Sequence, residues 1–104
     1  MSPAQIFKAL GDPLRLEMVQ RLSSGKPHTL SSLSGELGIS RQGARKQMQV
    51  LLDAGIICLQ VRGRETQVSL DTTKLTIAKQ FITQLEMQWD ARLSALKALL
   101  ETPH

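Results

Sequence analysis

The sequence predicts a mainly α fold with one small β-hairpin and a long final helix, and three observations carry that prediction. Apolar residues recur at helical spacing through the first half of the chain, the period shortens to near two over residues 56–70, and neither Pro nor Gly interrupts residues 72–101. With 104 residues the chain is read as one domain, 1–104. Folding alone it would bury only roughly 65% of its extended surface, so a second subunit would add stability.

Residues 3–10 make a short helix with Ile6, Ala9 and Leu10 on its apolar side, and Gly11 ends it. Asp12 before Pro13 is a helix start: the carboxylate accepts from free amides and the ring supplies its fixed φ. This second helix reaches about Leu22, with Leu14, Met18, Val19 and Leu22 inward, and Ser23-Ser24-Gly25-Lys26-Pro27 breaks it. Thr29 caps a third helix over 30–37 whose inward residues are Leu30, Leu33 and Leu37. Gly38-Ile39 turns the chain and Ser40 caps a fourth helix. Two helices joined by a short Gly-containing turn form a helix-turn-helix, here over about 29–54.

The fourth helix sorts its residues onto two faces. Ala44, Met48, Leu51 and Leu52 point inward, while Arg41, Gln42, Arg45, Lys46 and Gln49 point outward, with no carboxylate before Asp53. Arg pairs bidentately with guanine and Gln with adenine in the major groove, so this face can both attract DNA and read it. The direction of Gln47 depends on the rotation of the helix. The net charge of +4 has its surplus in the same region: six basic residues from Lys26 to Arg64 face only Glu36 and Asp53, whereas four basic and four acidic residues cancel from Asp71 onward.

After Gly55, residues 56–61 and 65–70 are β-branched and alternate as strands, joined by Arg62-Gly63-Arg64. A hairpin beside a helix-turn-helix is a wing, here about 56–70, and its two arginines can grip phosphates or enter a minor groove. From about 72 to 101 one long helix follows. Leu75, Ala78, Ile82, Leu85, Trp89, Leu93, Leu96 and Leu100 recur on it at spacings of three and four, with Phe81 and Leu99 beside them. A seam longer than its own domain can cover calls for a partner helix, most simply that of a second subunit. It also leaves room for a small-molecule or protein effector between the long helices.

Several classes are excluded. No window approaches the ~18 uncharged apolar residues of a membrane span, and the start of the chain shows no secretory signal, so the expected location is cytoplasmic. The lone Cys58 has no resolving thiol and is read as a small buried hydrophobe in the first wing strand. No nucleophile triad or phosphate loop is present, and Glu86 and Asp90 sit on a solvent-facing side of the last helix. The reading is therefore non-enzymatic and without a cofactor.

Phe7-Lys8-Ala9-Leu10-Gly11-Asp12-Pro13-Leu14-Arg15-Leu16, together with the run 40–57 ending Val50-Leu51-Leu52-Asp53-Ala54-Gly55-Ile56-Ile57, resembles the ArsR (arsenical-resistance repressor) family of winged helix-turn-helix transcription factors. The resemblance implies a homodimeric repressor, joined through its first and last helices, that leaves DNA when an effector binds. On this chain it places the subunit interface on Ile6, Leu10, Leu75, Ala78, Ile82, Leu85, Trp89, Leu93 and Leu96. DNA contacts fall on Ser40, Arg41, Gln42, Arg45, Lys46, Gln49, Arg62 and Arg64. Members that sense thiophilic metals carry a Cys-x-Cys pair where this chain has Thr29-Leu30-Ser31, and hydroxyls are poor ligands for soft metals. The other family site needs histidine on the last helix, whereas the two histidines here are His28 and His104. The expectation is a sequence-specific regulator of double-stranded DNA, binding an inverted-repeat operator and not responsive to metals. The competing reading is an interaction module that has lost DNA binding and works through its long helix.

Overall fold

A computed structural model describes residues 2–101; His104 lies outside them. The described chain runs α1 (Pro3–Leu10), α2 (Pro13–Leu22), β1 (His28–Thr29), α3 (Leu30–Leu37), α4 (Arg41–Asp53), β2 (Ile57–Arg62), β3 (Glu65–Leu70) and α5 (Thr73–Glu101).

Side-chain caps set the helix starts. Asp12 Oδ1 accepts from the amides of Leu14 and Arg15 at 2.9 and 3.1 Å. Thr29 Oγ1 accepts from the Ser32 amide at 3.1 Å while Ser32 Oγ accepts from the Thr29 amide at 2.8 Å, a reciprocal capping box. Ser40 Oγ accepts from the Gly43 amide at 3.0 Å and opens α4. Between α3 and α4, Gly38 adopts φ 66°, a left-handed conformation that a side chain would strain, and this reverses the chain within a few residues.

The hairpin of β2 and β3 is joined by β1 into an antiparallel sheet in the order β1-β3-β2, with His28 opposite Val68 and Val61 opposite Thr66. The sequence does not predict this third strand, because two residues carry no readable period; their pairing exists only once β3 lies beside them. Strand β2 begins at Ile57, one residue later than expected. The Ile56 amide still bonds to Leu51 O at 3.0 Å, closing the end of α4. His28 is buried, with Nε2 3.5 Å from Glu36 Oε2, an oxygen that Arg21 also approaches at 3.3 Å.

Ile6, Met18, Leu33, Leu51 and Ile56 form the fully enclosed centre of the core, surrounded by Ala9, Ala44, Met48, Ile57 and Val68. Two residues expected at the subunit interface are part of it. Ile6 is 0% and Ala78 6% exposed, and Leu75 packs against the same cluster. The cause is α5, whose first turns pack across α1 within the protomer; the rings of Phe7 and Phe81 meet edge to face at 5.8 Å. Cys58 is also corrected: it is exposed rather than buried. Ile57 takes the core face of β2, so pleating turns Cys58 to the other side, where its Sγ lies 3.0 Å from Ser69 Oγ.

Helix α5 has 29 residues and is therefore about 44 Å long at the α-helical rise. It extends the molecule to 74 Å against 24 and 22 Å in the other directions. Phe81, Ile82, Leu85, Met87, Trp89, Leu93, Leu96, Leu99 and Leu100 are each 40–78% exposed along it.

Candidate nucleic-acid interface

Three buried residues one helical face apart, Ala44, Met48 and Leu51, fix the rotation of α4. With that face inside, Arg41, Gln42, Arg45, Lys46 and Gln49 are all exposed, and Ser40 is exposed at the N-terminal end. Arg41, Gln42 and Arg45 share one surface depression, and Gln42, Arg45, Lys46 and Gln49 line the next along the helix. Among the described residues, Arg41, Arg45 and Lys46 have no carboxylate partner, because the ion pairs lie elsewhere, at Arg21, His28 and Lys97. Their donors are free to meet an anion. Gln49 differs: its Nε2 donates to Asp53 Oδ1 at 2.8 Å, which leaves its amide oxygen as the free group. Gln47, whose direction the sequence leaves open, turns away from this face and accepts from Arg15.

In the wing, Arg62 closes β2 opposite Glu65, and Gly63 and Arg64 make the tip. Gly63 has φ 63°, as the tight two-residue connection requires. Both arginines are exposed.

Between α4 and the wing lies a cavity of about 320 Å³. Arg45, Met48, Gln49 and Leu52 line it from α4, the i, i+3, i+4, i+7 stripe that flanks the cationic face. Leu59 and Val61 line it from β2, and Leu30 and Thr66 complete the wall. Sequence reasoning missed Leu59 and Val61. Their alternation on β2 was legible, but that this face looks at α4 depends on the wing folding back. The cavity brings Arg45 and Gln49 beside the wing.

Thr29, where metal-sensing members place the first cysteine, uses its hydroxyl to cap α3. Among the described residues no group of three or more His, Cys, Asp or Glu stands close enough to hold a metal ion. No helix among them is long and apolar enough to cross a membrane.

The fold matches known proteins. A family profile described as a helix-turn-helix domain matches residues 10–59. The structure of an ArsR-like transcriptional regulator from Rhodococcus sp. RHA1 superposes with a TM-score of 0.82 at 29% identity, covering 97% of this chain and 94% of that one. The chain has the winged helix-turn-helix fold of ArsR-family transcriptional regulators. A further ArsR-family transcriptional regulator agrees at 27% identity and TM-score 0.76, over 86% of this chain and 95% of its own. At 17% identity, reduced HlyU from Vibrio cholerae N16961 shares the fold, with a TM-score of 0.65 over 79% of this chain and 85% of its own. Comparison with curated proteins gives no match. The helix-turn-helix match and the likeness to these regulators support a DNA-binding transcriptional regulator.

Proposed function

We propose that this protein is an ArsR-family homodimeric repressor that occupies an inverted-repeat operator and excludes polymerase from it. The observation that carries this reading is the α4 face on which Arg41, Gln42, Arg45 and Lys46 stand exposed, with no carboxylate paired to them among the described residues. Ser40, Arg41, Gln42 and Arg45, at the N-terminal end of α4, reach base edges in the major groove, Lys46 and Gln49 follow the groove wall, and Arg62 and Arg64 meet backbone at the wing. In a two-fold dimer the two α4 helices stand about 34 Å apart, or nearer two turns in a wide dimer, which makes the operator a palindrome.

The dimer forms through α5. With Ile6 and Ala78 enclosed in the core, its contacts are Ile82, Leu85, Trp89, Leu93 and Leu96, with Leu10 and Leu75 at the edge. So long an exposed apolar stripe is stable in water only when another surface covers it. The domain spans residues 1–104 and works in the cytoplasm, without enzymatic activity. Metals do not release it from DNA, because Thr29-Leu30-Ser31 supplies hydroxyls where soft metals need thiolate or imidazole.

Duplexes selected from a random pool by the purified protein, then compared by gel shift at two salt concentrations, test the reading. The expected result is an inverted repeat bound with strong salt dependence. Absence of duplex binding at low salt would overturn it in favour of an interaction module built on α5.

A further inference from the structure

The cavity between α4 and the wing is built in a way that DNA binding does not require. Its volume of about 320 Å³ falls at the lower end of the ~300–1,000 Å³ typical of small-molecule sites. The wall is largely aliphatic, and on β2 the apolar residues occupy one face only. Ile57, Leu59 and Val61 alternate with Cys58, Gln60 and Arg62, and the face that looks at α4 is the apolar one. Val61 remains 77% and Leu59 42% exposed. A polyanion gains little from such side chains.

Arg45 is the one charged residue of the lining; its guanidinium pairs with no carboxylate among the described residues, and no acid shares the lining. The nearest on α4, Asp53, lies outside the lining and is held by Gln49. An aliphatic trough with one free cation at its wall complements a molecule with an apolar body and a single anionic head.

We propose that this cavity binds a small aliphatic monocarboxylate, its chain between Met48, Leu52, Leu59 and Val61 and its carboxylate on Arg45, and that the occupant competes with DNA. Competition follows from the shared group: Arg45 faces both the cavity and the α4 surface proposed to enter the groove. By linkage, a ligand that weakens DNA binding is itself weakened by DNA to the same extent. Only this competitive half rests on the DNA-binding reading; occupancy of the cavity does not.

Calorimetric titration of the full, DNA-free chain with decanoate, decanol and acetate tests occupancy, with decanoate kept below its micellar concentration. Decanoate is expected to bind saturably, and both decanol, which lacks the anion, and acetate, which lacks the chain, at least about tenfold more weakly. Leu59→Trp fills the trough and Val61→Glu sets a negative charge at an exposed position that tolerates it, so each is expected to reduce decanoate affinity about tenfold or more while circular dichroism and melting remain those of a folded protein. Arg45→Gln is expected to weaken decanoate and leave decanol unchanged. In gel shifts, decanoate is expected to release the selected duplex from the unmodified protein and fail to do so with Leu59→Trp.

Absence of saturable decanoate binding overturns the proposal. So does binding that survives both Leu59→Trp and Val61→Glu, which would place the ligand on the α5 stripe, and so does decanol binding as tightly as decanoate. Decanoate bound in the cavity without any effect on a duplex that the protein demonstrably binds overturns the competition alone. A protein that binds no duplex while its cavity binds decanoate overturns the DNA reading instead.

Discussion

Arg15 of α2 and Gln47 of α4 are joined side chain to side chain: Arg15 Nη1 donates to Gln47 Oε1 at 2.8 Å. The same guanidinium donates through Nε to Ala9 O at 2.7 Å and through Nη2 to Lys8 O at 3.3 Å, the last carbonyls of α1. A cation at a helix C-terminus is favourable in itself. Here it also ties α1, which packs on α5, to the flank of the helix that carries the cationic face.

Breaking this tie is expected to loosen α4 without altering its exposed side chains. Arg15→Met is expected to lower stability to urea by about 1–3 kcal/mol, since charge-assisted bonds are removed and carbonyls are left short of donors. A double-mutant cycle with Gln47→Met should show coupling of at least about 0.5 kcal/mol. Simple additivity would mean that the two side chains do not act together.

Assembly is expected to fail through a single charge. Leu85 is half exposed in the protomer, and burying a leucine contributes about 1.5–3 kcal/mol. Leu85→Glu replaces that contribution with a carboxylate in an apolar contact in both subunits, so the dissociation constant should rise by at least about tenfold. Sedimentation of the unmodified chain at micromolar concentration checks the premise, and a monomer there would remove α5 as the subunit interface.

The two basic groups are expected to differ in kind. Arg45→Ala should cost about 1–3 kcal/mol per half-site and relax preference at particular base pairs. Arg64→Ala should weaken specific and random duplexes alike and flatten the salt dependence by roughly one unit of slope for each phosphate it no longer neutralises. Equal losses on operator and random DNA for Arg45→Ala would remove that residue from base reading. A changed base preference for Arg64→Ala would put the wing in a minor groove.

Acid is expected to loosen the start of α5. Asp71 accepts from the Thr73 amide at 3.0 Å, and hydrogen bonds from the Thr73 backbone and side chain, with the nearby Lys74 charge, hold its carboxyl below the ordinary 3.8. A depressed acid stabilises the fold when ionised, so its contribution is present above the unfolded pKa and lost as pH falls through the lower folded value. The stability gap between the unmodified protein and Asp71→Asn should therefore be open at neutral pH and close on acidification. A gap independent of pH would show that charge has no part in this cap.

The sequence by itself determined the helices, the helix-turn-helix and which side chains α4 leaves exposed. Each of those depends on local signals: Asp12, Thr29 and Ser40 cap by bonds within three residues, and the 3.6-residue period of Ala44, Met48 and Leu51 fixes which side chains of α4 remain outside. Tertiary structure decided whatever depends on two distant segments meeting. Strand β1 is a strand only because β3 pairs with it, Cys58 is exposed because Ile57 takes the core face, and Ile6 and Ala78 are enclosed because α5 closes over α1. The apolar seam of α5 was legible as a row, but a row does not state where cover from its own domain stops. The cavity beside Arg45 has the same origin: a stripe on α4 and a face of β2, each ordinary alone, become a site when the wing folds back over the helix. Periodicity records which face of an element is apolar; only packing decides what that face meets.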